Sequence, residues 1–153
     1  MSKLAQALGK KYEENRVSVL TKTFVMGEHT FKVRVPSVGE IEAIYNGFKN
    51  PNEDDVEKEF QNIIKNIDNV EKYKKGDDVV IDGRSMREAA KNKCAIQFRI
   101  VEYIKLLVPE NGQSLNDLTY ADVEDEFPFT IQWELVEAIN KAISPSYEDT
   151  KGK

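Results

Sequence analysis

The residues of this chain that are the first candidates for chemistry are acidic, because several carboxylates held close together bind divalent cations. The densest group lies late in the sequence and comprises Asp122, Glu124, Asp125 and Glu126. A helix would fan three consecutive carboxylates around its axis, so we interpret the group as a solvated acidic turn. A metal-dependent enzyme using Asp122, Glu124 and Glu126 stays open as an alternative. It predicts tight divalent-ion binding that alanine substitutions remove.

Other groups that resemble catalytic or metal sites are incomplete. Three acids near Gly83, namely Asp77, Asp78 and Asp82, lack the regular ligand spacing and the closing glutamate of a calcium loop, and turn and cap chemistry explains them. The only histidine, His29, falls in a predicted turn and has no evident base or metal partner. The glycines are too dispersed for a phosphate loop. We therefore predict that the protein is not an enzyme and has no catalytic residue, metal or cofactor.

Length and composition are those of one ordinary globular domain, with 153 residues, 40% hydrophobic and 32% charged. No apolar run approaches the roughly 20 residues that span a bilayer, and the N-terminus has no basic-then-apolar signal segment. The single cysteine, Cys94, lies in an apolar helical pattern, which predicts a core position and agrees with a reducing compartment. We expect a cytoplasmic protein without membrane contact.

Charge argues against a nucleic-acid partner. The net charge is −5, and recognition of a phosphate backbone needs a concentrated basic face. Basic residues are scattered among the acids, and the two lysine pairs, Lys10-Lys11 and Lys74-Lys75, lie in predicted solvated turns. An acidic protein that mimics DNA is also disfavoured, because lysines interrupt the acidic residues along the sequence.

Any site must be positioned by the secondary-structure elements of the chain. The first element predicted for the domain is a β-hairpin over residues 17–35. Its second strand alternates, with Phe31, Val33 and Val35 on one face and charged residues between them, which is typical of a half-buried strand. Residues 26–29, which include a glycine, supply the turn. A two-stranded ribbon is barely stable in water. The hairpin must therefore be covered by helices or extended by another strand, from this chain or from another subunit.

Helical periodicity dominates the rest of the chain. It predicts helices over about 37–48, 53–69, 85–108, 119–126 and 129–143. Ser37, Ser85 and Thr119 are the predicted N-caps. The buried stripe predicted for the first of these helices consists of Ile41, Ile44, Tyr45 and Phe48. The helix over 85–108, stopped by Pro109, is apolar on more than one side, so other helices or a partner must bury it from more than one side.

These elements predict an α+β protein that is mainly helical, with an N-terminal β-hairpin packed on a bundle of about four to five helices. Residues 1–16 form a helical or flexible arm with Leu4, Leu8 and Tyr12 on one face. Residues 17–144 form a single domain. Residues 145–153 are polar and form a flexible tail.

Several of these features occur together in a known family. A hairpin with a central glycine leads into FKVRVPSVGEIEAIYN, a helical body follows, and LNDLTYADVEDEF precedes a Trp-containing helix and a polar tail. From Val17 to the C-terminus, this arrangement resembles the tail assembly chaperones of long-tailed, siphovirus-type bacteriophages. The motifs that carry the resemblance are patterned hydrophobic residues with turn residues.

The resemblance implies a non-enzymatic protein of the host cytoplasm that is absent from the mature virion. Such a chaperone coats the helical tape-measure protein and keeps its apolar seams soluble until tube subunits polymerise around it. The implied partners are therefore the tape-measure protein, the tail tube protein and further copies of the chain. The resemblance also implies a longer form made by ribosomal frameshifting. Lys151-Gly152-Lys153 can be encoded by AAG GGA AAG, and the codons of the gene test whether they can slip into an overlapping frame.

Six apolar residues are the predicted partner-binding set, because the hairpin face and the long helix would provide a groove for a client helix. They are Phe24, Phe31, Val33, Val35, Ile100 and Tyr103. The alternative function is a small acidic phage regulatory protein that inhibits a host enzyme by protein contact. That alternative predicts clustered carboxylates on one face and no oligomer.

Overall fold

The computed structural model describes residues 2–144 and is mixed α/β, 59% helical, with an N-terminal two-stranded hairpin. The predicted α+β, mainly helical class is confirmed. The elements in chain order are α1 (Lys3–Leu8), α2 (Lys10–Val19), β1 (Thr21–Met26), β2 (His29–Arg34), α3 (Val38–Lys49), α4 (Glu53–Ile64), a 3₁₀ turn (Val70–Tyr73), β3 (Lys74–Lys75), β4 (Asp78–Ile81), β5 (Arg84–Ser85), α5 (Met86–Ile104), α6 (Tyr120–Glu126) and α7 (Phe129–Ile143).

The chain packs as two compact units. Unit 1 contains the described residues 2–37 and 103–144, and unit 2 contains Val38–Glu102. The single domain predicted over 17–144 is thus divided between the two units. The predicted tail over 145–153, with the frameshift reading of Lys151-Gly152-Lys153, lies outside the described residues.

The hairpin of unit 1 pairs β1 and β2 in antiparallel register, with Phe24 opposite Phe31. The turn between the strands has two residues, Gly27 with φ 58° and Glu28 with φ 67°. Two positive φ values in a two-residue turn match the right-handed twist of the strands, and glycine adopts such a value without strain. The turn predicted at residues 26–29 is confirmed.

The outer edge of β2 is extended by a short stretch of the same chain, residues 106–108, which we call the 106–108 segment. Val33 and Leu107 form an antiparallel bridge. The Arg34 N–H donates to the Leu106 carbonyl at 2.8 Å, and the Val108 N–H donates to the Lys32 carbonyl at 2.9 Å. The predicted helix over 85–108 therefore ends at Ile104, because these backbone groups bond to β2 instead of to another helical turn.

The hairpin also begins later than predicted, because residues 17–19 belong to α2. The β-branched Val17 and Val19 read as strand residues, yet both are exposed in the last turn of the helix. The Thr21 hydroxyl donates to the Val17 carbonyl at 2.7 Å, and the Leu20 N–H donates to the Arg16 carbonyl at 3.0 Å. These two bonds satisfy carbonyls at the helix end, where no intrahelical donor remains. The predicted arm thus consists of the short helices α1 and α2.

Helix α7 contacts both strands of the hairpin, and a buried polar side chain fixes how it follows α6. The Gln132 amide donates to the Phe127 carbonyl at 2.8 Å and accepts from the Tyr120 hydroxyl at 2.7 Å. Thr119 caps α6 as predicted, in a capping box with Asp122. Leu135, Val136 and Ile139 form the buried side of α7.

Unit 2 has its own core of Phe60, Val79 and Ala90, surrounded by partly buried apolar residues of α4 and its neighbours. Strands β3, β4 and β5 form a small antiparallel sheet in chain order. The predicted helix over 53–69 ends earlier, at Ile64. Asn69 has φ 57°, and Asn and Asp side chains between residues 62 and 69 favour turns over helix because they hydrogen-bond nearby backbone.

The close approach of α3 to α5 depends on a glycine. A Cβ added at Gly47 would clash with the Phe98 ring, because it would lie far inside van der Waals contact of the ring. Ile41, Ile44 and Phe48 are half-buried as predicted, but Tyr45 is 55% exposed, so its assignment to the buried stripe is wrong. The helix periodicity does not show where the buried stripe ends.

The start of α5 is held by Asp78. Its carboxylate accepts from the Ser85 hydroxyl at 2.5 Å and from the N–H groups of Val79 and Arg87 at 2.7 and 3.1 Å. Ser85 in turn accepts from the Glu88 N–H at 3.1 Å, as its predicted cap role requires. Burial alone would raise the pKa of Asp78, but these hydrogen bonds outweigh it and lower the pKa below its ordinary value.

We expect Asp78→Asn to lower the free energy of unfolding at pH 7 by about 1 to 3 kcal/mol, because it weakens charge-assisted bonds at the helix start. A lowered folded-state pKa stabilises above the unfolded pKa and is lost as pH falls through the folded value. The difference between wild type and variant should therefore shrink below about pH 4. Urea unfolding at pH 7 and pH 3 measures it. Asp77→Asn, at a carboxylate that is 92% exposed, is the control. Equal differences at both pH values would contradict this role.

We expect Gly47→Ala to destabilise unit 2 by about 1 to 3 kcal/mol, because the new methyl group overpacks against the Phe98 ring. An exposed helical Gly→Ala change would instead stabilise by about 1 kcal/mol. Thermal unfolding of Gly47→Ala, Phe98→Leu and the double variant checks the contact. The double variant should be more stable than the two single losses predict. If the stability losses of the two single variants simply add in the double variant, a clash between the new methyl group and the Phe98 ring is contradicted.

Candidate partner-binding site

An aromatic stack covers one face of the hairpin. The rings of Phe24 and Phe31 are stacked with centroids 5.2 Å apart, and the His29 ring meets Phe31 edge-on at 4.6 Å. The register explains the stack, because the two phenylalanines are directly opposite each other on neighbouring strands. Both are half-buried, so each offers part of its ring to the surface.

Beside this stack lies an open cleft of about 850 Å³, which we call the β2 cleft. Its apolar lining comes from Phe31, Leu107, Val108, Pro109 and Leu115. The polar residues that line it are His29, Thr30, Lys32 and Glu110. The cleft thus has an apolar lining with polar residues among it, which suits the apolar side of a partner.

The β2 cleft includes a stretch of open strand edge. Lys32 and Arg34 direct backbone groups to the 106–108 segment, and alternation in an antiparallel ladder places the N–H and C=O of Thr30 on the same edge. Pro109 has no N–H and cannot continue the pairing. Among the described residues, no backbone bond from the 106–108 segment reaches Thr30.

The six predicted partner-binding residues divide into two groups. Phe24, Phe31 and Val35 are half-buried and keep exposed surface. The other three, Val33, Ile100 and Tyr103, have exposed fractions of 0%, 0% and 3%. Their assignment to a partner surface needs correction, because fully buried side chains stabilise the fold and have no surface to offer. For the first three residues, partner binding stays a prediction.

The acidic group Asp122, Glu124, Asp125 and Glu126 is exposed, but it lies on the helix α6, so its interpretation as a turn is wrong. Asp122 accepts from the Thr119 N–H and hydroxyl at 2.9 and 3.0 Å in the cap of α6. Burial, and then the nearby carboxylates of Glu59 and Asp55, raise the pKa of the half-buried Cys94 thiol, which disfavours the reactive thiolate. Within residues 2–144, no cluster of three or more His, Cys, Asp or Glu side chains is arranged to hold a metal ion.

Among the helices that the structure describes, none combines the length and the apolar character needed to cross a bilayer.

Acidic and basic residues of unit 1 lie in different parts of the sequence. The prediction that basic residues are scattered among the acids missed this separation. Residues 106–140 contain eight acidic residues and no lysine or arginine, whereas residues 1–37 contain seven basic and three acidic residues. The eight acids are Glu110, Asp117, Asp122, Glu124, Asp125, Glu126, Glu134 and Glu137. All eight are exposed, and within the described residues none forms an ion pair. Counting charges in windows of the sequence would have found this pattern.

Comparisons with protein-family models, with curated proteins and with solved structures found no match to the chain.

The division of the predicted set into core and surface residues has a direct test. We expect Ile100→Ala to lower the free energy of unfolding by about 2 to 5 kcal/mol, because it leaves a cavity at a fully buried position. Phe31→Ala, at a half-buried position, should cost less. Urea unfolding of both variants measures this. A larger loss for Phe31→Ala than for Ile100→Ala would contradict the assignment.

Proposed function

We propose that the protein is a non-enzymatic tail assembly chaperone of a long-tailed bacteriophage, which binds the tape-measure protein and keeps it soluble while the tail tube forms. The observation that carries the proposal is the β2 cleft, an open apolar surface beside the aromatic stack of Phe24 and Phe31. The resemblance of the chain to this family from Val17 onward supplies the identity of the client.

The physical problem that such a chaperone solves is the exposed apolar seam of a long helical client. A seam left in water drives aggregation, since burial of apolar area is the main driving force of association. An apolar cleft covers part of the seam, and a charged exterior keeps the complex soluble. In this chain the β2 cleft is the covering surface, and the exposed acids of residues 106–140 belong to the charged exterior.

The proposal extends to partners and location. A long client offers many equivalent seams, so several copies of the chain bind along it, and copies also contact one another. The tail tube protein displaces them as it polymerises, which leaves the chaperone in the host cytoplasm and outside the mature virion. A fraction of the protein is made in a longer, frameshifted form.

The alternative function is a small acidic phage protein that inhibits a host enzyme by protein contact. The eight exposed acids of residues 106–140, which form no ion pair within the described part of the chain, favour it, because exposed carboxylates attract a basic partner. It differs from the chaperone in expecting a monomer that does not bind the tape-measure protein.

We expect Phe31→Asp to weaken client binding by about 30-fold, since loss of a buried aromatic contact costs about 2 kcal/mol. The measurement is co-purification of a tagged tape-measure protein co-expressed with each variant, followed by titration of the soluble complex. Thr23→Asp is the matched control, because it adds the same charge to an exposed position on the opposite face of the hairpin.

The control variant should bind the client as the wild type does. Equal loss in both variants would show a general charge effect, and no loss in Phe31→Asp would contradict the role of the β2 cleft. Circular dichroism of each variant confirms that the fold is retained.

A further inference from the structure

The N-terminal arm, formed by α1 and α2, has an apolar and basic surface that the rest of the structure leaves uncovered. Leu4 and Leu8, one helical turn apart on α1, are 68% and 53% exposed. Lys3, Lys10 and Lys11 are exposed around them, and none of the three has an ion-pair partner within residues 2–144. Helix α1 packs mainly on α2, and α2 has no buried residue.

The outer side of α7 has the opposite character. Phe129 is 56% exposed, and its ring stacks on Trp133 with centroids 6.4 Å apart. Glu137 is exposed one turn beyond Trp133 on the same side of the helix, and Glu134 and Lys141 are exposed next to it around the helix. We call the set of Phe129, Trp133, Glu134 and Glu137 the aromatic–acidic face.

The two surfaces match in both apolar spacing and charge. The leucines of the arm are four residues apart on a helix, and so are the aromatic residues of the face, so one pair can pack across the other at helix spacing. The lysines of the arm are opposite in sign to the glutamates of the face. Exposed ion pairs add little energy individually, but complementary charges fix orientation and speed association, while apolar burial supplies the affinity.

We propose that the N-terminal arm of one copy docks on the aromatic–acidic face of a second copy. Within a single chain the arm leaves both Leu8 and Phe129 exposed, so it does not cover its own face. A contact between two different surfaces is heterologous, and each added copy presents a new arm or a new face. Assembly then continues beyond a dimer unless the rotation between copies closes a ring.

This contact deepens the proposed function, on which it rests, by assigning the association between copies to the arm and α7 while leaving the β2 cleft free for a client. The contact between copies and the binding of a client at the β2 cleft can each be disproved without the other. The self-association test uses the purified full chain without client, and its variants leave Phe31 and the β2 cleft unchanged.

Charge reversal on each surface tests the proposal. The arm variant carries Lys10→Glu and Lys11→Glu, and the face variant carries Glu134→Lys and Glu137→Lys. All four positions are exposed, so both variants should keep the circular dichroism and unfolding temperature of the wild type. Light scattering coupled to size exclusion gives the mass of each at several protein concentrations.

We expect the wild type to exceed twice the chain mass of 17.5 kDa and each variant alone to fall toward that mass. An equimolar mixture of the two variants should regain the wild-type mass, because the acidic arm of one then meets the basic face of the other. Leu4→Asp with Leu8→Asp should also give a monomer, because the arm then lacks the apolar side chains that pack on the face. A monomeric wild type, variants that keep the wild-type mass, or a mixture without rescue would overturn the proposal.

Flotation of a monomeric wild type with anionic phospholipid vesicles would overturn it too, by assigning the basic arm to a lipid surface.

Discussion

The antiparallel pairing of the 106–108 segment with β2 is the interaction on which the rest of unit 1 depends. A two-stranded hairpin is marginal in water because it has too few neighbours to bury its apolar face. Here Val33 is fully buried and bridges to Leu107, while α7 contacts both strands. The pairing also determines the candidate site, because it ends at Pro109 and leaves the β2 cleft open beyond that point.

Local signals made the hairpin and several helix ends predictable from the sequence. The alternation around Phe31, the glycine of the turn and the Thr119 cap each act within a few residues, so the sequence alone reveals them. The 106–108 segment was not predictable, since its apolar residues continue the helical pattern of α5 and only hydrogen bonds to a distant strand end the helix. For the same reason the sequence could not tell the buried Val33 from the half-buried Phe31.

The structure separates residues that hold the fold from residues that keep exposed surface. Ile100 and Tyr103 are buried, whereas the Phe24–Phe31 stack, the β2 cleft and the aromatic–acidic face keep exposed surface. Unit 1 also separates its charges, with a basic N-terminal part and an acidic stretch over residues 106–140. Exposed apolar area next to exposed charge is characteristic of interaction surfaces.

Co-expression of the wild-type chain with the tape-measure protein, followed by mass determination of the soluble complex, tests the central claim most directly. The tape-measure protein expressed alone should aggregate. With this chain, we expect it in the soluble fraction as a complex of one client with several copies of the chain. A client that stays insoluble, or that is soluble without this chain in the complex, would contradict the account.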